Sequence, residues 1–546
     1  MRHGAASEGT DTGRRRSALA LLLFGATFLL YFAPGRYHGG GDATPAEFLP
    51  IAILDGHGFD LSEFADRKAG LPYYFSYRSG RVISSYPVMP GLLNVPVFAV
   101  AHALGVDLLK HRIDLSLLTS AWITAGSVAL LFVALERLTK DRRLSFGFAI
   151  LYAFGTNAWS NGALALFQHG PSLLFLCGSL ALLCANDRLA VPWAGLFLGF
   201  AVVNRPTNIA FALPLAVFVL LERRRSFPAF ALLAAIPAAL LFAYSSAYWG
   251  TWKALGQGQG GWGFDGEPAR TLPGLLVSPS RGILIFTPFF LFAFLHGFVL
   301  LARGGGSVLL KYLFSGCLLL LGIYSFWGAW WGGASFSYRL LTEMTPALVL
   351  ITADGWRRWI GTTKARRTSF AVAAGFSVLV QFLGLREFPT AFNEQIDQET
   401  ERLWNWKRSE LVFDAAKAMH QMGFRKHELR LRHPPPVPAP EGWYDEPNNF
   451  DVFRGSTVRG NGWAASADGI ARVAVLLDGR DVGSASYGSF RPDVPRVKPY
   501  VSCGQFCGYR FRIDGVSPGR HTIETRYVGH KGGTAAPPKV SIWVRK

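Results

Sequence analysis

The fold is decided by an apolar run at residues 17–34, which reads SALALLLFGATFLLYFAP. It carries no charged side chain and is long enough to be a candidate membrane-spanning helix. Three arginines at residues 14–16 precede the run, and no small-residue cleavage pattern of a signal peptide follows it. We therefore predict a retained first span, with residues 1–16 in the cytoplasm.

Apolar runs of similar length recur as far as residue 386. Of the 546 residues, 50% are hydrophobic and only 17% are charged, whereas a soluble protein has about 25% charged residues. This composition excludes a soluble enzyme, a fibrous protein and a disordered protein. We predict an α-helical polytopic membrane domain at residues 17–386 with about eleven spans. The predicted spans are residues 17–34, 114–135, 144–158, 170–185, 189–204, 207–221, 227–247, 282–302, 308–327, 339–354 and 369–386.

The distribution of basic residues predicts the orientation of these spans. The formal net charge is +19, but its basic residues form short clusters between apolar runs, which disfavours nucleic acid as a partner. With eleven spans all clusters fall on one side, and the positive-inside rule makes that side cytoplasmic. We predict a multi-pass membrane protein whose N-terminus is cytoplasmic and whose C-terminal region lies outside the cytoplasm.

The segment at residues 87–109 is apolar enough to span the membrane, but Pro87, Pro90 and Pro96 interrupt it. Counting it as a span would place the basic cluster at residues 137–143 outside. We therefore predict a helix at the outer interface, within a long first outer loop at residues 36–113. A kinked true span is the alternative.

The region after the last span changes character twice. Residues 387–440 combine an amphipathic helix at the membrane surface with a proline-rich linker. Residues 441–546 alternate apolar and polar positions between turn signals, which predicts a small all-β sandwich. Within it, Cys503 and Cys507 could form a disulfide outside the cytoplasm. They lack two further ligands at zinc-finger spacing, so we predict no metal site there.

Two carboxylates of the first outer loop are the candidate catalytic residues. Asp42 follows three glycines just past the first span, and these glycines would allow a ligand to approach the backbone closely. Glu47 has an alternative explanation, since Thr44 as N-cap and Glu47 at the third helical position would form a capping box. Asp42 precedes that cap, so capping does not account for it.

Basic residues at the outer ends of spans indicate an anionic site. Arg205, Arg281 and Arg339 lie on the outer side, against the positive-inside trend, and arginine suits phosphate recognition. Anchoring to lipid headgroups is the alternative explanation for these arginines. The candidate residues for binding substrate or lipid phosphate are Arg81, Tyr86, His169, Arg205, Arg281 and Arg339.

This arrangement resembles the GT-C class of membrane glycosyltransferases. Gly41-Asp42, residues 55–61 (DGHGFDL), Tyr86-Pro87, residues 278–282 (SPSRG) and residues 331–339 (WGGASFSYR) are similar to the branch that contains protein mannosyltransferases and aminoarabinose transferases. The resemblance, which is to bacterial members of that branch, implies a protein of the bacterial inner membrane with a periplasmic or extracellular C-terminal region. It also implies a sugar donor linked to polyprenyl phosphate and transfer on the outer face. It maps the first-loop aspartate onto Asp42. Many relatives have a second acid directly afterwards, where this chain has Ala43, which leaves Glu47 as the nearby substitute.

The C-terminal region resembles an immunoglobulin-like module of bacterial surface proteins, through residues 462–464 (GWA), 475–479 (VLLDG) and 491–494 (RPDV). That resemblance implies a role in binding or spacing. No chemistry follows from it.

The expected function is an inverting glycosyltransferase with Asp42 as the general base. Its partners would be the lipid-linked donor, membrane lipids, and a glycan, lipid or protein acceptor in the cell envelope. No cofactor is firmly implied, and the need for a divalent metal is left open. Two rivals are a transporter or flippase of lipid-linked saccharide and a non-catalytic membrane scaffold that displays the sandwich. ATP-driven, nicotinamide, zinc-protease and serine-hydrolase motifs do not occur in the sequence.

Overall fold

The chain forms two compact units in a computed structural model. One unit comprises residues 1–106 and 112–421, and the other comprises residues 107–111 and 422–546. The first is helical and the second is built from β-strands. The structure describes residues 2–65, 71–185, 187–251, 264–303, 305–388, 391–394, 396, 400–421, 440–447, 451–466, 469–489, 491, 494, 506–530 and 532–545.

The first unit is a bundle of mostly apolar helices, as the recurring apolar runs predict. Its helices are α1 (Arg2–Phe32), α2 (Thr44–Leu54), α3 (Met89–Ala103), α4 (Arg112–Thr139), α5 (Arg142–Gly155), α6 (His169–Leu183), α7 (Val191–Asn204), α8 (Ile209–Glu222), α9 (Phe227–Tyr244), α10 (Pro268–Val277), α11 (Ile283–Phe286), α12 (Phe290–Arg303), α13 (Val308–Ser325), α14 (Thr345–Arg358), α15 (Lys364–Glu387), α16 (Ala391–Glu394) and α17 (Glu410–Gln421).

Within the described residues, four helices are long and apolar enough to cross a membrane. They are Arg112–Thr139, Arg224–Trp249, Val308–Ser325 and Lys364–Glu387. Seven further apolar helices have 10–17 residues. A helix of 14 residues is only about 21 Å long, whereas the hydrocarbon core of a bilayer is about 30 Å thick. The structure therefore shows a membrane-associated helical protein with fewer full-length spans than the eleven predicted.

The surface of α9 shows why this unit needs lipid. Leu232 and Leu240 are 69% and 59% exposed, and Ile236 and Phe242 are also exposed. A helix that is apolar on all sides is stable only when it is buried or surrounded by lipid. These side chains are not covered by protein among the described residues, which fits a membrane-associated helix.

The predicted tenth span does not begin as an α-helix. Residues Arg339–Met344 form a 3-10 turn, and α14 starts only at Thr345. Proline is tolerated in the first turn of a helix, because its missing N–H would have no partner there. Pro346 therefore lies in the first turn of α14, where a proline is favourable. Arg339 and Glu343 lie on the 3-10 turn that precedes this helix.

Polar contacts join segments of the first unit that are distant in sequence. Arg16 and Arg142 both donate to Glu136, which brings together the first described side chains of α1, the end of α4 and the start of α5. At another place Arg36 donates to the carbonyl of Arg386. The segment after α1 thus meets the end of α15.

The segment at residues 36–113 is held against the bundle by hydrogen bonds of α3. The side-chain amide of Asn94 donates to the carbonyl of Ala46 at 3.2 Å and to Ser116 Oγ at 3.0 Å. Thr119 Oγ1 donates to the Asn94 side-chain oxygen at 2.6 Å. One buried asparagine in α3 therefore ties α2 to α4.

The same loop contains a hairpin that sequence analysis did not predict. Strands β1 (Phe75–Arg78) and β2 (Arg81–Ser84) pair antiparallel around the turn Ser79–Gly80. Both turn residues have positive φ, 48° and 80°, as the tight turns of two-residue hairpins require.

The second unit confirms the predicted β-sandwich. One sheet has the order β4-β12-β10-β6-β7 with β11 on β10, and the other has the order β3-β5-β9-β8. Side chains of both sheets share one core, for example Tyr509 and Val458 with Ile523 and Ile542. The strands are β3 (Glu441–Glu446), β4 (Val452–Arg454), β5 (Val458–Ala465), β6 (Ile470–Leu477), β7 (Arg480–Ser484), β8 (Ser486–Ser489), β9 (Gly508–Ile513), β10 (Gly519–Gly529), β11 (Thr534–Ala535) and β12 (Val540–Arg545).

Three predictions for the C-terminal region have different outcomes. Among the described residues of the predicted amphipathic region, Glu410–Gln421 forms an α-helix and Thr400–Trp404 a short 3-10 helix, while the end of that region, residues 422–428, lies outside the described residues. The proline-rich linker falls in residues 422–439, outside the described residues. Cys503 also lies outside them, so the disulfide stays a prediction, while Cys507 is buried beside Trp463.

Candidate functional site

The side chain of Asp42 lies in a turn just before α2. The N–H of Ala43 donates to the carbonyl of Gly40 at 2.9 Å, and the Asp42 side chain is 26% exposed. Its Oδ1 accepts hydrogen bonds from the phenols of Tyr86 at 2.8 Å and Tyr73 at 3.1 Å. Its Oδ2 accepts from Arg339 Nη1 at 3.1 Å. The structure thus brings together Asp42, Tyr86 and Arg339, three of the predicted site residues.

The contacts of Asp42 keep its carboxyl group ionised. Burial by itself would raise the pKa of Asp42, but the Arg339 cation and the two phenol hydrogen bonds lower that pKa below its ordinary value. Hydrogen bonds to the charged form of a carboxylate favour that form. Asp42 is therefore an acceptor-only group at neutral pH, able to take a proton.

The structure gives Gly41 a different role from the predicted approach of a ligand. A Cβ at Gly41 would lie 2.3 Å from the phenol oxygen of Tyr73 and 2.9 Å from the ring of Tyr74. The backbone is approached here by Tyr73 itself. Gly41 therefore makes room for the tyrosine that reaches Asp42.

Ala43 occupies the position of the second acid in the resembling family. Its side chain is fully buried and packs with Ala165 and Phe167. A carboxylate there would be buried among apolar side chains, which is costly without a partner. The local packing accounts for an alanine at this position.

Glu47 connects three elements from a buried position. Its Oε1 accepts from Tyr37 at 2.9 Å, and its Oε2 lies 3.8 Å from Arg112 Nε. The capping-box explanation is wrong, because α2 begins at Thr44 and its N-terminus has no side-chain cap. Glu47 is only 6% exposed, so its contacts are those of a brace between the end of α1, α2 and the start of α4. Its catalytic role stays a prediction.

A buried ionic group lies next to Asp42. Glu343 Oε1 is 2.9 Å from His169 Nδ1 and 3.6 Å from Arg205 Nε. Arg205 Nη1 lies 3.0 Å from His169 Nε2, and its Nη2 donates to Tyr324 at 2.5 Å. The predicted residues His169 and Arg205 are thus joined by Glu343, which was not among the predicted site residues.

The 3-10 turn Arg339–Met344 links this ionic group to Asp42. Arg339 and Glu343 lie at its two ends, and the Arg339 guanidinium lies 5.2 Å from the ring centre of Phe167, two residues before His169. Burial lowers the pKa of Arg205, but the charges of Glu343 and Asp42 help to raise it above its usual value. We call these residues the Asp42 cluster: Asp42, Tyr73, Tyr86, His169, Arg205, Arg339 and Glu343.

Arg281 belongs to a different network. It is 1% exposed, and its Nη1 donates to Glu410 Oε2 at 2.7 Å and to the carbonyl of Ser280 at 2.7 Å. Its Nε donates to the carbonyl of Trp331 at 2.9 Å and its Nη2 to that of Gly333 at 3.4 Å. These contacts give Arg281 the geometry of a clamp between α17 and the loop before Arg339. Phosphate binding by Arg281 stays a prediction.

Arg81 lies on the exposed face of the hairpin. Its guanidinium is 5.3 Å from the ring centre of Tyr248, in the π-helical turn that follows α9. Arg78, on the other side of the hairpin turn, lies 5.9 Å from the ring centre of Trp249. Neither arginine makes a described contact with Asp42, and binding of substrate or lipid phosphate by Arg81 stays a prediction.

Sequence analysis missed Tyr73, Glu343 and Glu410 as site or network residues. Glu343 carried a usable signal, since an ionisable residue within an apolar run is a functional candidate. Glu410 and Tyr73 carried none, because their importance comes from Arg281 and Asp42, which are distant in sequence.

Metal binding has no preformed site in the part of the chain that the structure describes. No three His, Cys, Asp or Glu side chains there are arranged to hold a metal ion. The Asp42 carboxylate is bound by an arginine and two tyrosines instead.

Neither a protein-family model nor a curated protein matches this chain. Among solved structures, it is similar to the fibronectin(III)-like modules of Clostridium thermocellum CbhA, at 20% sequence identity and a TM-score of 0.15. The match covers 20% of this chain and 48% of that chain, so this chain spans about half the length of the structure it matches. A TM-score this low carries no argument about the fold or the function.

Proposed function

We propose that this protein is a membrane glycosyltransferase that moves a sugar from a polyprenyl-phosphate donor to a cell-envelope acceptor. One observation carries the proposal. An ionised, partly exposed carboxylate, Asp42, lies in the turn before α2, where it contacts Arg339 directly and interacts with the charge of Arg205. A base and cations in one place are what a transfer reaction with a phosphate leaving group needs.

In the proposed reaction the acceptor hydroxyl donates a hydrogen bond to Asp42. Its oxygen attacks the anomeric carbon, its proton passes to Asp42, and the bond between the anomeric carbon and the phosphate oxygen breaks. The electron pair of that bond leaves with the polyprenyl phosphate, so the configuration is inverted in one displacement. A well-placed general base contributes about 10²–10⁴-fold to the rate.

Arg339 supports the leaving phosphate in this proposal. Its Nη1 is used by Asp42, whereas its buried Nε has no hydrogen-bond partner among the described residues. A buried N–H group without a hydrogen-bond partner favours binding of a charged acceptor such as a phosphate oxygen. Arg205 adds a second positive charge nearby but is held by Glu343 and Tyr324.

The same proposal includes eleven spans with the Asp42 cluster on the outer face of the bacterial inner membrane. The contact between Arg36 and Arg386 supports it, because the ends of α1 and α15 then share a face. Glu47 touches Tyr37 after α1 and Arg112 at the start of α4. These contacts support a topology in which the chain between Tyr37 and Arg112, including α3, makes no net crossing. The sandwich would extend outside as a binding or spacing module.

The test is donor cleavage by membranes that contain the Asp42→Asn variant. The substrate is a radiolabelled polyprenyl-phosphate sugar, and the product is free polyprenyl phosphate. Asp55→Asn is the matched control, because Asp55 is an exposed aspartate at the end of α2. We expect Asp42→Asn to lose nearly all cleavage while inserting normally. Near-normal cleavage by Asp42→Asn would refute the proposal. Donor translocation without cleavage by the unaltered protein would support a flippase instead.

A further inference from the structure

The two oxygens of the Asp42 carboxylate have unequal surroundings. Oδ1 accepts from both Tyr86 and Tyr73, whereas Oδ2 accepts only from Arg339. An ionised carboxylate offers about four acceptor positions over its two oxygens. Two are used on Oδ1 and one on Oδ2, so the described contacts leave the open position on Oδ2.

We propose that Tyr73 and Tyr86 are positioning residues that occupy Oδ1 and so make Oδ2 the oxygen that receives the acceptor's proton. This inference rests on the proposed glycosyltransferase function. Beyond that function, it identifies the oxygen of Asp42 that accepts the proton and the side chains that select this oxygen. The acceptor hydroxyl then binds on the side of Asp42 that Arg339 shares.

Local contacts hold Tyr73 and Tyr86 in the positions that are needed to occupy Oδ1. The backbone of Tyr86 is held by Ser84, whose Oγ accepts from the Tyr86 N–H at 3.0 Å and donates to the Tyr86 carbonyl at 2.8 Å. Tyr73 reaches Asp42 across Gly41, and its ring lies edge-on to that of Tyr86, with centres 6.4 Å apart. Tyr73 is 66% exposed, so it also forms the outer boundary of the space around Asp42.

The acid–base behaviour of Asp42 follows from four neighbours. Arg339 and the phenols of Tyr73 and Tyr86 contact it directly, and Arg205 acts through its charge. Two or three hydrogen bonds can lower a carboxylate pKa by about 2 units, or roughly 1 unit for each bond. Removing a phenol oxygen therefore raises the pKa of Asp42. Because the base must be deprotonated, the acid limb of the rate profile moves to higher pH.

The experiment compares pH profiles of donor cleavage for the full-length protein and for Tyr73→Phe, Tyr86→Phe and the double variant. We expect the acid limb to move up by about 1 pH unit in each single variant and further in the double variant. The plateau rate should fall about tenfold, because Oδ1 then competes for the acceptor proton. Tyr77→Phe is the control, since Tyr77 is an exposed tyrosine on β1, and its profile should match that of the unaltered protein.

Unchanged acid limbs in both Tyr73→Phe and Tyr86→Phe, with Asp42→Asn inactive, would overturn this inference and leave the proposed function standing. Activity of Asp42→Asn would overturn the proposed function instead. If a phenylalanine variant lacks activity, the pH dependence of its thermal unfolding replaces the rate. The depressed pKa of Asp42 stabilises the fold until pH falls through that pKa. In Tyr86→Phe the pKa of folded Asp42 lies closer to that of the unfolded chain, so this loss should be smaller and should end at higher pH; a loss of unchanged size would count against the inference.

Discussion

Replacing Arg281 with alanine separates the two possible roles of an outer arginine. The sequence interpretation gives Arg281 a donor phosphate to bind, whereas the structure surrounds its guanidinium with protein. Its ion pair with Glu410 has exposed side-chain fractions of 1% and 0%. Arg281→Ala leaves that carboxylate buried without its cation, and breaking such a pair costs about 3–5 kcal/mol of unfolding free energy.

Thermal unfolding in detergent micelles, followed by size-exclusion chromatography of heated samples, measures this loss. We expect a clearly lower midpoint for Arg281→Ala and, for the protein that remains folded, a donor KM within about twofold of the original. Arg339→Ala is the contrasting variant. Its pair with Asp42 is 16% and 26% exposed, so the loss of stability should be about 1 kcal/mol or less, while donor use should fall strongly.

The double variant Arg281→Met/Glu410→Leu sharpens the same test. Removing both charges of a buried pair is often nearly neutral, because no unpaired charge is left behind. We therefore expect the double variant to recover most of the stability that Arg281→Ala loses. An unchanged midpoint for Arg281→Ala, together with much weaker donor binding, would refute the clamp and restore the phosphate-binding interpretation.

Three further predictions concern Glu47, the side of the membrane on which the C-terminus lies, and His38. Glu47→Gln should keep measurable donor cleavage but lose about 1–3 kcal/mol of stability, since it weakens a buried brace; an inactive variant with normal unfolding would show a catalytic role. A reporter active only in the cytoplasm, fused after Lys546, should stay silent, and a positive signal would make residues 87–109 a twelfth span. Burial lowers the pKa of His38 to about 4, with a further effect of Arg36. The unfolded chain therefore binds more protons, and stability should fall by up to about 1.4 kcal/mol per pH unit below roughly 6.5. Unfolding of His38→Gln between pH 5 and 7 should lack this dependence, whereas His57→Gln, an exposed control, should retain it.

Local sequence patterns predicted most of the secondary structure. Residues 17–32 of the apolar run at residues 17–34 lie within α1, and alternation at residues 471–477 and 509–513 predicted β6 and β9 closely. These signals work because burial on one face, or surrounding by lipid, imposes a period that a single segment displays. The start of α14 differs from prediction because an apolar run gives no information about where a 3-10 turn ends and a helix begins.

The sequence by itself determined that this chain is a helical membrane-associated protein with a C-terminal sandwich, and it placed Asp42 just past the predicted first span. Only the tertiary structure decided which groups meet there. Arg339 is 297 residues away from Asp42, and Glu410 is 129 residues away from Arg281, yet one arginine lies at the candidate site and the other is held in a buried network. Both have the same side chain at similar places along apolar runs. The difference arises because the chemistry of a guanidinium depends on its partners, and partners at such separations are chosen by packing, which no local pattern records.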